Sequence, residues 1–135
     1  MAGCEAAYYI ANQGIEVKLW EMRPTNNTPV HRTPYLAELV CSNSLKSEQN
    51  NTAQGLLKAE MRILGSLLLQ CAEQARVPAG SALAVDRDLF AQRVTSIIEN
   101  HKRIEVIRQE VVTVPEDQLV VIATGPLTSG RLWQY

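Results

Sequence analysis

Neither sign of charge prevails in this chain. Thirteen Lys and Arg stand against 14 Asp and Glu, a net charge of −1. The basic excess by which free-standing RNA-binding domains engage phosphates is therefore missing. Any RNA contact is expected from surface outside this segment, or from surface formed on assembly. Long apolar runs are missing too. Leu67-Leu68-Leu69 and Leu119-Val120-Val121-Ile122 fall far short of the ~20 apolar residues of a membrane-spanning helix. The opening Met1-Ala2-Gly3-Cys4-Glu5 lacks the basic and then apolar layout of a signal peptide. Cysteine is sparse: Cys4, Cys41 and Cys71 are widely spaced, odd in number and form no C-x-x-C pair. That excludes a disulfide framework and a zinc site from the expectations, and favours a reducing cytoplasm. There is no internal repeat and no low-complexity tract.

What is present reads as one modest globular domain. A length of 135 residues supports a single core, and 46% hydrophobic with 20% charged residues is neither disordered nor fibrous. Residues 3–12 are alanine-rich, with Ala6, Ala7, Ile10 and Ala11 at helical spacing, and Gly14 suits a left-handed helix end. Residues 15–21 alternate apolar and polar, the period of a strand. Residues 22–34, with three prolines, predict a long loop. Leucines and other apolar residues between 53 and 76 (Leu56, Leu57, Met61, Leu64, Leu67, Leu68, Cys71, Ala75) predict one helix with an inward stripe. A short strand is expected at 83–85. Asp86 is expected to cap a helix reaching about Asn100, with Phe90, Val94, Ile97 and Ile98 facing inward. Residues 104–107, 111–114 and 119–122 predict three closing strands. The fold class expected is α/β, a Rossmann-like dinucleotide domain with a mostly parallel sheet.

Such a domain binds pyrophosphate at the turn between its first strand and first helix, through G-x-G-x-x-G. Here only a last glycine, Gly3, precedes the helix, and the first strand is expected to be missing upstream. Glu21 follows Gly3 by 18 residues at the end of the predicted strand. That spacing suits a carboxylate that accepts ribose hydroxyls; a surface glutamate at a strand end fits it equally well. Ala123-Thr124-Gly125, after an apolar stretch, brings small residues close to whatever lies above the sheet. An ordinary turn after a buried strand would read the same way.

Four blocks in order carry a more specific signal. They are Glu21-Met22-Arg23-Pro24, Glu38-Leu39-Val40-Cys41-Ser42-Asn43-Ser44-Leu45, Pro78-Ala79-Gly80-Ser81-Ala82-Leu83-Ala84-Val85-Asp86-Arg87 and Ala123-Thr124-Gly125-Pro126-Leu127-Thr128-Ser129. Together they resemble the bacterial folate-dependent tRNA (uracil-5-)-methyltransferases of the TrmFO type, flavoproteins related to GidA. The likeness spans residues 1–129, a partial FAD-binding domain. Residues 130–135 look unlike the family. The resemblance implies a cytoplasmic enzyme, with no membrane or DNA partner. Its FAD, reduced by NADH or NADPH, would take a one-carbon unit from 5,10-methylenetetrahydrofolate to the T-loop uridine of tRNA (position 54). Met1, Ala2 and Gly3 match the last three places of the glycine motif, so the chain is expected to lack the start and the larger remainder of such an enzyme. A GidA-like wobble-uridine enzyme, or a non-catalytic remnant, are the alternatives.

Cys41 is the residue expected to carry chemistry. Uracil C5 becomes nucleophilic enough for carbon transfer once a nucleophile adds at C6, and a thiolate suits that task. The family places the matching cysteine near the flavin, with a second cysteine sharing the work. Cys4 and Cys71 are expected to be packing residues. Ser42 and Asn43 are candidates for flavin or substrate contact, or turn formers. Arg23, His31 and Arg32 are candidates for phosphate, a solvated loop charge being the commoner outcome for any one of them. The strand expected to begin at Glu110-Val111 would meet adenine by analogy with flavoproteins of this architecture. The expected cofactor-binding set is therefore Met1, Ala2, Gly3, Glu21, Arg23, Ser42, Asn43, Val111, Ala123, Thr124 and Gly125. No metal site is expected.

Overall fold

The computed structural model describes residues 1–134; Tyr135, the end of the tail expected to diverge, lies outside the described residues. The chain runs through α1 (Ala2–Asn12), β1 (Val17–Trp20), β2 (Ser44–Ser47), α2 (Ala53–Ile63), α3 (Leu67–Gln74), β3 (Arg76–Val77), β4 (Ala82–Val85), α4 (Arg87–Glu99) and β5 (Ile104–Ile107). A 3₁₀ turn (Gly125–Leu127) and a one-turn helix, α5 (Gly130–Trp133), follow.

Cys4, Ala7 and Ala11 recur one helical turn or two apart, so α1 buries a narrow face of small side chains. Gly14 ends it at φ +89°, a conformation that a side chain would resist. The chain then enters β1, which pairs in parallel with β5 from Val17 opposite Ile104 to Trp20 opposite Ile107. The Glu21 amide extends the ladder by donating to Ile107 O at 3.0 Å. Among the described residues, neither β1 nor β5 has a second strand neighbour. Asp86 caps α4 as expected, its carboxylate accepting from the Leu89 amide at 2.9 Å. Phe90, Val94 and Ile98 are fully buried, and they pack with Leu67, Cys71, Leu83 and Val85 as the centre of the core. Ile97 departs from the expectation: it is 37% exposed, on the edge of that face.

Two further expectations need correction. Residues 53–76 do not form one helix. Gly65 turns at φ +73° and Ser66 starts α3, its hydroxyl accepting from the Leu69 amide. Glu5, reaching across from α1, accepts from Ser66 Oγ and from the Leu67 and Leu68 amides at 2.9–3.0 Å. A carboxylate there is favoured by the helix dipole. The inward stripe is only half right. Leu67, Leu68 and Cys71 are core, but Leu56, Leu57 and Leu64 of the α2 stretch are exposed. Instead α2 turns Gly55 and Lys58 inward. A methyl group on Gly55 would stand 2.0 Å from Gln49 O, so only glycine fits. Lys58 Nζ donates to the carbonyls of Ser47 and Gln54 at 2.9 and 3.1 Å. Burial lowers the pKa of this ammonium, which has neighbouring carbonyls rather than a carboxylate as its bonded partners.

The second correction concerns residues 111–114 and 119–122, which are not strands. Leu119, Val120, Val121 and Ile122 are exposed. Strand propensity is realised only where a neighbouring edge completes the ladder. Alongside the parallel pair, β2, β4 and β3 form an antiparallel sheet, with Ser44 opposite Ala84 and Arg76 opposite Val85.

Candidate functional site

The first turn of α1 lies against the carboxyl end of β1. A Cβ built on Gly3 would stand 3.6 Å from Leu19 Cδ1 and 3.5 Å from Ala123 Cβ, in ordinary contact. Three positions read from separate parts of the sequence therefore meet at one point. Met1, at the N-cap of α1, makes no side-chain cap bond, and the positive end of the helix lies at this junction. Cys4, one residue further on, is buried, and desolvation raises its pKa. It is a packing thiol, as expected.

Glu21 leaves the end of β1 and is fixed by Arg23. Its Oε1 accepts from the Arg23 amide and from Arg23 Nε, and its Oε2 from Arg23 Nη2, all at 3.0 Å. The same guanidinium donates through Nη1 to Glu38 Oε2 at 2.9 Å and to Thr33 O at 3.3 Å. Arg23 is 3% exposed. Of the two readings of Arg23, a phosphate contact or a solvated loop charge, the second gives way to a buried fork between two carboxylates, the geometry for which Arg is suited. Burial pushes the Glu21 carboxyl up, but hydrogen bonds from Arg23, with the charges of Arg23 and Arg108, hold its pKa below the usual value. Glu38 follows the same logic: burial raises it, while the Arg32 and Thr33 amides, the Thr33 hydroxyl and Arg23 lower it by more. Arg108 closes the back of the arrangement, donating to the carbonyls of Arg23 and Pro34 and to Glu99.

Beside this cluster is a cavity of about 360 Å³, bounded by Met22, Asn26, Thr28, Glu110, Leu127 and Thr128. That is at the small end of the range for ligand pockets. Asn26 Nδ2 donates to Glu110 Oε2 at 2.7 Å, and Arg131 pairs with the same oxygen at 3.6 Å. Val111, next to Glu110, is half-buried. Thr124 and Thr128 share a 2.6 Å hydroxyl contact, and Gly125 takes φ +65°. His31 is held by Thr28 through Nδ1 at 2.6 Å, and Arg32 is exposed, with its amide donating to Glu38.

Cys41 does not line this cavity; it follows Glu38 by three residues. Of the three cysteines it is the exposed one. The segment after it is fastened to the second sheet. Ser42 Oγ accepts from the Ser44 amide at 3.0 Å, Asn43 Nδ2 donates to Val85 O at 3.2 Å, and Asn43 O accepts from the Val85 amide at 2.9 Å. The thiol thus stands at a loop surface whose two flanks are anchored, one by Glu38 and one by Asn43. Glu38, as the anchor, escaped sequence reasoning; its place inside the Cys41 block was the available signal.

The family model for glucose inhibited division protein A matches residues 1–134. Among curated relatives, a methylenetetrahydrofolate--tRNA-(uracil-5-)-methyltransferase TrmFO from Syntrophomonas wolfei is 67% identical over 132 residues, 98% of this chain and 30% of that protein. Proteins of the same name from Moorella thermoacetica and Sulfurihydrogenibium are 60% and 57% identical, over 98% and 96% of this chain and 30% of each relative. The chain thus spans about 30% of the length of these relatives.

Proposed function

The chain belongs to the glucose inhibited division protein A family, and we propose that it is the FAD-binding part of a folate-dependent tRNA uracil-5-methyltransferase. The observation that carries this reading is the meeting of Gly3, Ala123 and the end of β1, with Glu21 fixed beside them, in a chain 67% identical to an enzyme of that name. The residues present fit the adenosine-diphosphate half of FAD. An uncapped helix start suits the pyrophosphate, with Met1, Ala2 and Gly3 closest to it. An ionised Glu21 suits the ribose. The backbone at Val111 suits the adenine edge, and the small Ala123, Thr124 and Gly125 leave room for close approach. Ser42 and Asn43 belong on the flavin side of the site.

FAD held there would supply the redox chemistry that turns a methylene group from 5,10-methylenetetrahydrofolate into a methyl group, with NADH or NADPH as electron source. The chain's own part is to hold the cofactor and to present a thiol. A Cys41 thiolate adding to C6 of the target uracil places the electron pair on C5, which then attacks the one-carbon electrophile. Loss of the C5 proton then releases the one-carbon carrier and leaves an exocyclic methylene at C5; a hydride drawn from the reductant adds to that carbon, which restores the C5=C6 double bond and expels the thiolate. The substrate is the T-loop uridine of tRNA, and the setting is the cytoplasm. Among the described residues, no helix is long and apolar enough to cross a membrane.

The test is a chimera in which residues 1–129 replace the matching part of the Syntrophomonas wolfei relative, assayed for 5-methyluridine at the T-loop with FAD, NADPH and methylenetetrahydrofolate. Methylation by the chimera above background supports the proposal. A folded, flavin-loaded chimera that leaves the T-loop unmethylated contradicts it, and modification of the wobble uridine instead would favour a GidA-like activity.

A further inference from the structure

We infer that Arg23 is a positioning residue that leaves Glu21 with a single open acceptor direction, so that the site recognises one ribose hydroxyl of an adenine nucleotide and is indifferent to the other. This deepens the reading of Glu21 as a ribose contact and rests on it.

An ionised carboxylate offers about four acceptor directions, two on each oxygen. Three of Glu21's are taken inside the protein: Oε1 by the Arg23 amide and by Nε, and Oε2 by Nη2, each at 3.0 Å. One direction on Oε2 remains. A carboxylate free of such partners accepts both hydroxyls of a ribose, one on each oxygen; this one cannot without giving up a bond to Arg23. The fork is held in turn. Nη1 spans Glu38 and Thr33 O, Arg108 donates to the carbonyl of Arg23, and the guanidinium is 3% exposed. Swinging the Glu21 carboxylate to take two hydroxyls would leave a buried cation under-bonded, a cost larger than the hydroxyl bond gained.

The experiment follows amide chemical shifts of the 135-residue chain on titration with ADP, 2′-deoxy-ADP and 3′-deoxy-ADP. In the wild-type chain one deoxy analogue is expected to match ADP, and the other to bind about tenfold or more weakly, the effect of one hydrogen bond to a charged acceptor. Arg23→Lys keeps the positive charge but loses the fork, so the two analogues should then fall within about twofold of each other. If that variant does not fold, Arg23→Gln combined with Glu38→Gln, which also removes a neighbouring charge, carries the same comparison. Glu21→Gln should bind ADP no better than the weaker analogue binds the wild type. Equal losses for both analogues in the wild type, or unchanged discrimination in a folded Arg23 variant, overturn the role assigned to Arg23 alone. Failure of ADP to bind the folded wild-type chain overturns the nucleotide reading of the site, and this role with it.

Discussion

Replacing Glu38 by alanine removes the anchor between the Arg23 cluster and the segment bearing Cys41. Four bonds end on its carboxylate: from the Arg32 and Thr33 amides at 2.9 and 3.1 Å, from Thr33 Oγ1 at 2.9 Å and from Arg23 Nη1 at 2.9 Å. The Arg32 amide sits in an exposed stretch where water can replace its bond, so it adds little. The Thr33 bonds and the Arg23 pair are better shielded, the two side chains of the pair being 13% and 4% exposed. Removing one partner of a buried pair costs about 3–5 kcal/mol. Arg23 keeps Glu21 and Thr33 O, however, so its charge is not stranded, and a loss of about 3 kcal/mol is expected. Ala37, just before Glu38, is held at φ +57°, a strained conformation for a residue with a Cβ that the anchor helps to maintain. The assay is urea unfolding at several pH values, reading the midpoint at constant slope. Because folding lowers the Glu38 pKa, its contribution is complete above the unfolded carboxylate pKa of about 4.3 and is lost as pH falls through the lower folded value. The gap between wild type and Glu38→Ala should therefore be largest near neutral pH and shrink towards pH ~3. A difference under about 0.5 kcal/mol at neutral pH, typical of an ordinary surface change, or one that widens on acidification, would refute the reasoning.

Gly55→Ala would ordinarily favour a helix by about 1 kcal/mol. Here the new methyl group meets Gln49 backbone atoms at 2.0–2.9 Å, and a net loss of about 2 kcal/mol is expected in thermal unfolding; equal or raised stability contradicts the packing described for α2. Cys71, with no exposed surface, sits in the core, so Cys71→Ala should cost about 1–2 kcal/mol while leaving methylation by the chimera intact. In the native chain, iodoacetamide should modify Cys41 well ahead of Cys4 and Cys71, because it alone of the three is exposed; equal labelling in the folded state contradicts this placement.

The parts of the fold legible in the sequence were the local ones. The Gly14 turn, the Asp86 cap and the small-residue face of α1 depend on residues a few positions apart, and β4 needed only a short apolar run between a turn and a cap. The reversal of α2 was not legible. Leucines at helical spacing point to a buried face, but which face is buried depends on Gln49 standing where only Gly55 can meet it. Residues 119–122 have every local mark of a strand and no partner edge among the described residues, because pairing is decided by distant chain. The site divides in the same way. The spacing of Gly3 and Glu21 implied that the helix start and the end of β1 lie together, as they do, whereas the burial of Arg23 needed Glu38, 15 residues on, to fold back over it. A charged residue in a proline-rich loop carries no local sign of such a partner.

Cys41→Ala in the chimera with the Syntrophomonas wolfei relative tests the proposal that this domain serves uracil methylation with Cys41 as its thiol. Flavin absorbance reports on folding and methyl incorporation into T-loop uridine on chemistry. Cys41 is exposed and, among the described residues, none of the hydrogen bonds around it ends on its sulfur, so the substitution should leave flavin content unchanged while methylation falls to near background. Near-normal methylation by the flavin-loaded Cys41→Ala protein would contradict the account.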